Sequence, residues 1–237
     1  MKNCIIIGAS SGIGRKLAKL FVQDEYHVGI TGRRSNLLEE LKDHWPDNIT
    51  INAFDVTEDD SIVHLEEMVK LLGDVDLIIY SSGNGEPNEP LDFTIEKETI
   101  DLNVTAFTQI ADWSFNYFRK KGKGHFVAIS SIAGIRGARF APAYNASKAY
   151  QINYLEGLRQ KANKLKLPIR ITDIRPGFVD TQMAKGDGKF WVAPVEKASL
   201  QIFNAIKKRK NIVYITKRWR LIAILLRILP GWLYTRM

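Results

Sequence analysis

Cysteine is almost absent from the chain. Cys4 stands alone among 237 residues, so no internal disulfide can form and a secreted, disulfide-stapled scaffold is excluded. Four scattered histidines beside that one cysteine give no zinc-ligand spacing, and no metal site is expected. Long apolar runs are missing too. The longest, Leu221 to Leu226, falls far below the roughly 20 residues of a membrane-spanning helix. The opening stretch MKNCIIIGASSGIG breaks at Gly8 and lacks the apolar length and cleavage site of a signal peptide, so a cytoplasmic protein is expected. Acidic residues are missing from the last part of the chain. From Lys197 to Met237 there are ten Lys or Arg and no Asp or Glu, whereas the preceding 196 residues carry a net charge of −2. The overall +8 therefore belongs to the C-terminal segment. Such asymmetry suggests a polyanionic partner, although charge alone fits a solvated basic surface equally well.

An apolar fraction of 45% is too high for a disordered chain, and the length suits one α/β domain with a sizeable core. Short β-branched runs alternate with amphipathic stretches. Strands are expected at 2–7, 27–31, 49–53, 75–80, 124–130, 169–174 and 211–215, with helices between them. Ser35 is a plausible N-cap for the second helix, and Thr57 for a third running to Leu72 with Asp60 completing a capping box. A long helix is expected over 95–121 and another over 143–166, and Pro194 suits the first turn of a further one. Near-continuous apolar strands in strict alternation with helices imply a parallel sheet covered on both faces, a doubly wound Rossmann-like α/β fold of about seven strands. The domain is assigned to 1–216, with a basic amphipathic helical tail over 217–237.

Gly8, Gly12 and Gly14 form a G-x-x-x-G-x-G turn between the first strand and the first helix. Glycines there let the backbone approach a pyrophosphate, and the helix N-terminus favours its negative charge. At the end of the second strand an NAD site expects an acidic residue for the ribose 2′-hydroxyl. The sequence instead reads Gly32-Arg33-Arg34, which offers guanidinium forks to a 2′-phosphate and favours NADP(H) over NAD(H). Asp55 and Val56, just past the third strand, are placed to meet the adenine ring. Tyr144 and Lys148 are four apart at the start of a helix and share a face. Ser131 lies 13 residues before Tyr144 at a strand end, where this fold opens onto its ligand crevice.

With GASSGIG, Asp55, Asn103, Ser131, Tyr144-Asn145-Ala146-Ser147-Lys148 and Arg175-Pro176-Gly177 together, the chain resembles the short-chain dehydrogenase/reductase family over about 2–215. It departs from the family at Ile7, where Thr is usual, and at Tyr80-Ser81-Ser82-Gly83, where Asn-Asn-Ala-Gly is usual. The resemblance implies a homo-oligomeric oxidoreductase of ketones, aldehydes or secondary alcohols. Tyr144 is then the acid/base, Lys148 lowers its pKa and holds the nicotinamide ribose, Ser131 orients the carbonyl, and Asn103 fixes a water linking Lys148 to solvent. Ser130 is the competing serine, at a spacing of 14. Further cofactor contacts are implied at Ser10, Ser11, Ile13, Ser82, Gly83, Pro176, Gly177, Val179 and Thr181. A non-catalytic NADP-binding regulator or membrane adaptor on the same fold is the alternative.

Substrate candidates are Met183, Phe190 and Trp191 in the segment after Gly177, with Gly186 and Gly188 as hinges, and Ile135, Arg139 and Phe140 in the loop after Ser131. In the tail, Lys217, Arg220 and Arg227 form a basic stripe amid Trp219, Leu221, Ile222, Leu225, Leu226, Ile228 and Leu229, followed by Trp232 and Tyr234. That pattern matches a helix lying in a membrane surface, or one packed on the substrate pocket or another subunit. Either placement points to a lipophilic substrate. Nucleic acid is not an expected partner, since no binding-module signature accompanies the charge.

Overall fold

The computed structural model describes residues 2–182 and 190–236. Met183, Gly186 and Gly188 therefore lie outside the described residues. Seven strands run as β1 (Lys2–Ile7), β2 (Tyr26–Thr31), β3 (Ile49–Asn52), β4 (Leu77–Tyr80), β5 (Gly124–Ile129), β6 (Ile169–Pro176) and β7 (Ile212–Ile215). All pair in parallel in the order β3-β2-β1-β4-β5-β6-β7. The order reverses between β1 and β4, and a crevice opens at that switch point beyond the strand ends.

Helices α1 (Gly12–Gln23), α2 (Ser35–Asp43) and α7 (Val195–Lys207) cover one face, and α3 (Ser61–Leu72), α5 (Phe107–Lys121) and α6 (Pro142–Lys164) cover the other. The pleat divides β1 between them. Cys4 and Ile6 pack with Leu17, Phe21 and Ile202, while Ile5 and Ile7 pack with Leu65, Phe107 and Leu155. Both faces of the central strand are dry, as its unbroken apolar run requires.

Three local expectations are corrected. Helix α3 starts at Ser61, not after Thr57. The Thr57 amide and hydroxyl both donate to Asp55 Oδ1, at 3.0 and 2.8 Å, so an Asp-led turn takes the groups a cap would have used. Asp60 holds the N-cap position without a side-chain cap bond. Ser35 is the first residue of α2 rather than its cap, and Arg34 precedes it. The long helix is a composite. After α4 (Phe93–Ile100), a π-helical turn spans Asp101–Ala106 before α5 begins.

The tail forms α8 (Trp219–Ile228) and α9 (Gly231–Tyr234). Helix α8 packs through buried Trp219 and Ala223 onto Ile132 and Ile135 of a 3₁₀ turn after β5. The Arg136 guanidinium donates to the Leu226 carbonyl at 2.8 Å and to the Leu229 carbonyl, capping the negative end of α8. Tyr234 donates to the Gly137 carbonyl at 2.5 Å. No helix among the described residues is long and apolar enough to cross a membrane.

Candidate active site

A cavity of about 960 Å³ runs from the glycine turn to the tail. At one end, Gly8, Ser10, Ser11, Gly12 and Ile13 line it. Two of the turn's glycines, Gly8 and Gly14, have no room for a side chain. Gly8 has φ +87°, and a Cβ there would sit 2.6 Å from Ser82 Oγ. A Cβ on Gly14 would sit 2.1 Å from the Gly8 carbonyl oxygen. Gly14 thus fits the turn without lining the cavity. Ser11 precedes α1 and makes no side-chain cap bond, so no hydroxyl blocks the first amides of the helix. A glycine turn opening onto a helix N-terminus in this way suits a phosphate group.

Beside it, Arg34 donates to Ser10 Oγ at 2.7 Å and to Ser11 Oγ at 2.8 Å. Arg33 pairs with Asp55 at 3.4 Å. Both arginines, together with Asp55 and Val56, border the cavity. Burial pushes the Asp55 carboxyl up, but the Thr57 hydrogen bonds and the Arg33 charge outweigh it and hold it below the usual carboxylate range. With Gly32 in the wall, no side chain at the end of β2 contributes a carboxylate, and two guanidinium groups border the cavity there.

Deeper in, Ser131, Tyr144 and Lys148 line the cavity together. The two serines part company. Ser130 Oγ donates to Asp173 Oδ1 at 2.5 Å and lies near the Ile174 carbonyl at 3.0 Å. Asp173 is held in turn by Arg175 at 2.6 Å, so Ser130 belongs to a buried structural network. The Ser131 hydroxyl instead accepts from the Ala133 amide at 3.1 Å and lines the cavity beside the Tyr144 phenol. Burial pushes the phenol pKa up, and the neighbouring Ser131 hydroxyl draws it back. The Lys148 ammonium lies 5.8 Å from the Tyr144 ring centroid. Burial lowers its pKa to about 8, with the Asp173 charge opposing the shift.

Asn103 is fully buried in the π-helical turn and does not reach the cavity wall. Its side chain clamps the backbone of Asn84, donating to the carbonyl at 2.8 Å and accepting from the amide at 3.1 Å. A Cβ on Gly83 would lie 3.2 Å from Asn103 Oδ1 and 3.4 Å from Lys148 Nζ, so the strand end lies directly on the lysine. The expected bridging water has a protein competitor. Gln151, absent from the sequence-based candidates, accepts from Lys148 Nζ at 3.0 Å and donates to the Asn103 carbonyl at 2.9 Å. Its amide spans the gap between the two residues. Its spacing of three from Lys148 on one helix was the available signal.

The remaining wall is mostly apolar. Pro176, Gly177, Val179, Thr181 and Phe140 border the cavity, as do Ser82 and Gly83. Phe190 and Trp191 do not. They stack against Trp219, with ring centroids 5.1 and 5.9 Å away, because the indole lies between them and the cavity. Ile135 lies under α8, and the Arg139 guanidinium covers the Phe140 ring at 4.6 Å. Of the placements the sequence left open for the tail, the structure shows packing on the pocket: Trp219, Ile222, Leu226 and Tyr234 form part of the wall. A Cβ on Gly177 would fall 2.1 Å from the Trp219 indole, so the Pro-Gly turn and α8 fit only because that position has no side chain. Among the described residues no cluster of His, Cys, Asp and Glu could hold a metal.

A family profile described as short chain dehydrogenase matches residues 2–190. An uncharacterised oxidoreductase of Mycobacterium tuberculosis is 31% identical over 188 residues, covering 76% of this chain and 74% of its own. Among solved structures, a short chain dehydrogenase from Bacillus anthracis superposes with a TM-score of 0.80 at 21% identity, covering 90% of this chain and 94% of its own. The closed form of a serine dehydrogenase complexed with NADP+ superposes with a TM-score of 0.79 at 24% identity, covering 90% and 93%.

Proposed function

Because the chain belongs to the short-chain dehydrogenase family of nicotinamide-dependent oxidoreductases, we propose that it reduces a ketone or aldehyde of a lipophilic substrate with NADPH. The observation that carries this reading is the meeting of Ser131 and Tyr144 in the cavity that also contains the glycine cradle. The cofactor, when bound, supplies the hydride. Gly8, Gly12 and Ile13 would hold its pyrophosphate, and Arg33 and Arg34 its 2′-phosphate.

The chain's own groups handle the proton. Ser131 hydrogen-bonds the substrate oxygen and fixes its orientation. Tyr144, protonated at neutral pH like any tyrosine, donates its proton to the same oxygen as negative charge develops there. Lys148 is cationic below its pKa of about 8 and stabilises the phenolate left behind. The phenol, raised by burial, is a weaker acid than a free tyrosine, so the transfer depends on the nearby Lys148 cation to stabilise the phenolate as it forms. In the reverse direction the same tyrosine would first have to ionise. The apolar wall from Phe140 to Trp219 and Leu226 favours a hydrocarbon-bearing substrate over a sugar.

Fluorescence titration with NADPH and NADH tests the cofactor half of this reading. Tighter binding of NADPH is expected. Equal affinities would remove the 2′-phosphate argument, and failure to bind either would overturn the oxidoreductase reading.

A further inference from the structure

Helix α8 is apolar on two faces, and only one is used. The inner row, Trp219, Ile222, Ala223 and Leu226, meets the cavity and the turn after β5. An outer row, Leu221, Leu225 and Ile228, follows the same helical spacing on the side away from the cavity. These side chains are 68%, 52% and 71% exposed, and Trp232 of α9 continues the patch at 65%. Contiguous exposure of large apolar groups marks an interaction surface. Arg220 and Arg227 flank the row and are exposed, with no acidic residue anywhere after Glu196.

We propose that α8 and α9 seat on an anionic membrane surface by this outer face, so that the helix roofing the pocket is also the contact with the lipid. Charge complementarity selects the occupant. A second copy docked by the same face would be isologous and would set arginine against arginine, with no carboxylate in the segment to neutralise them. An anionic bilayer supplies both the negative headgroups the arginines need and the apolar layer the leucine row needs. Trp232 stands where interfacial aromatics anchor such helices. The proposal rests on and deepens the carbonyl-reductase reading by naming the source of the substrate: a carbonyl compound dissolved in the bilayer on which the helix roofing the pocket lies. Docking itself depends on the helix alone and is measured without turnover.

The test is flotation of the full chain with vesicles of phosphatidylcholine alone and of phosphatidylcholine mixed with phosphatidylglycerol. Two variants accompany it. Leu221→Ser with Leu225→Ser and Ile228→Ser removes the apolar row, and Arg220→Glu with Arg227→Glu reverses the charge. The wild type is expected to float with the mixed vesicles and to be released by salt. Charge reversal should weaken binding by at least about thirtyfold, the loss of two arginine contacts alone, and the serine variant should lose it. Retained NADPH binding shows that each variant is folded, because none of these side chains lines the cavity. No flotation of the wild type, equal binding to neutral vesicles, or flotation unchanged in both folded variants would overturn the proposal. So would a wild-type dimer, seen by sedimentation, that the serine variant dissolves while vesicles fail to bind. Absent NADPH binding with vesicle binding intact would instead sink the oxidoreductase reading and leave the docking in place.

Discussion

Replacing Gln151 should move the pH dependence of reduction without touching the reacting groups. Its carbonyl accepts from Lys148 Nζ at 3.0 Å in a fully buried setting. A hydrogen bond to a charged donor contributes about 1.5–3 kcal/mol. Losing it in Gln151→Leu makes the ammonium harder to keep, and the lysine pKa should fall by roughly 1–2 units. In Gln151→Glu the carboxylate faces the ammonium directly, and an opposite charge at that range raises a lysine pKa by about 1–3 units. The sign follows from the chemistry. The cation that stabilises the tyrosinate is present below the lysine pKa of about 8 and lost above it, so kcat/KM should fall on the alkaline side. The assay is kcat/KM for a ketone at saturating NADPH across pH, for the wild type and both variants. The alkaline limb should shift down in the leucine variant and up in the glutamate variant. Three superimposed profiles would refute the reasoning, because a purely structural Gln151 would lower activity or stability without moving the limb.

Other positions give separable outcomes. Arg34→Leu should weaken NADPH binding by roughly 10- to 100-fold and change NADH binding little, as read by fluorescence titration. Ser131→Ala should reduce kcat by about 100-fold or more while costing only its N-cap bond to the Ala133 amide in stability, about 1 kcal/mol. Ser130→Ala should cost about 1–3 kcal/mol of stability, because Asp173 loses a buried donor, and denaturant melts beside activity separate the two serines. His125 is buried against Thr172 at 2.8 Å and its pKa is lowered to about 3, chiefly by desolvation. The unfolded chain therefore binds a proton near pH 6.5 that the folded one refuses, and stability declines as pH falls from 6.5 toward 3. The loss from this group should reach about 2 kcal/mol at pH 5, measured by urea unfolding, and His125→Gln should flatten that slope.

The parts legible in the sequence are those set by local pattern. The apolar run Lys2–Ile7 ended by Gly8 is β1 to the residue, because a glycine with φ +87° cannot extend the strand. The serine, tyrosine and lysine lie where strand-end and helix-face arguments put them. What escaped depends on register or on distant partners. The π-helical turn at Asp101–Ala106 adds one residue per turn, and apolar periodicity is blind to it. Gln151 reads as a polar residue on a helix until Asn103, 48 positions earlier, is seen to accept from it. The tail's amphipathic character was visible, but the face that turns inward is the one whose Trp219 and Ala223 meet Ile132 and Ile135, far earlier in the chain. Gly177 reads as the end of the family-like Arg175-Pro176-Gly177 stretch, whereas its physical requirement comes from Trp219.

The most direct test of the central claim is a single-turnover reaction. Protein preloaded with NADPH is mixed with a long-chain ketone, and the decay of dihydronicotinamide absorbance is followed for the wild type and Tyr144→Phe. The account predicts stoichiometric oxidation of NADPH with formation of the alcohol in the wild type, and a loss of at least about 100-fold in rate in the phenylalanine variant that still binds NADPH. Equal rates in the two proteins would contradict it, because the carbonyl oxygen would then be receiving its proton from somewhere other than Tyr144.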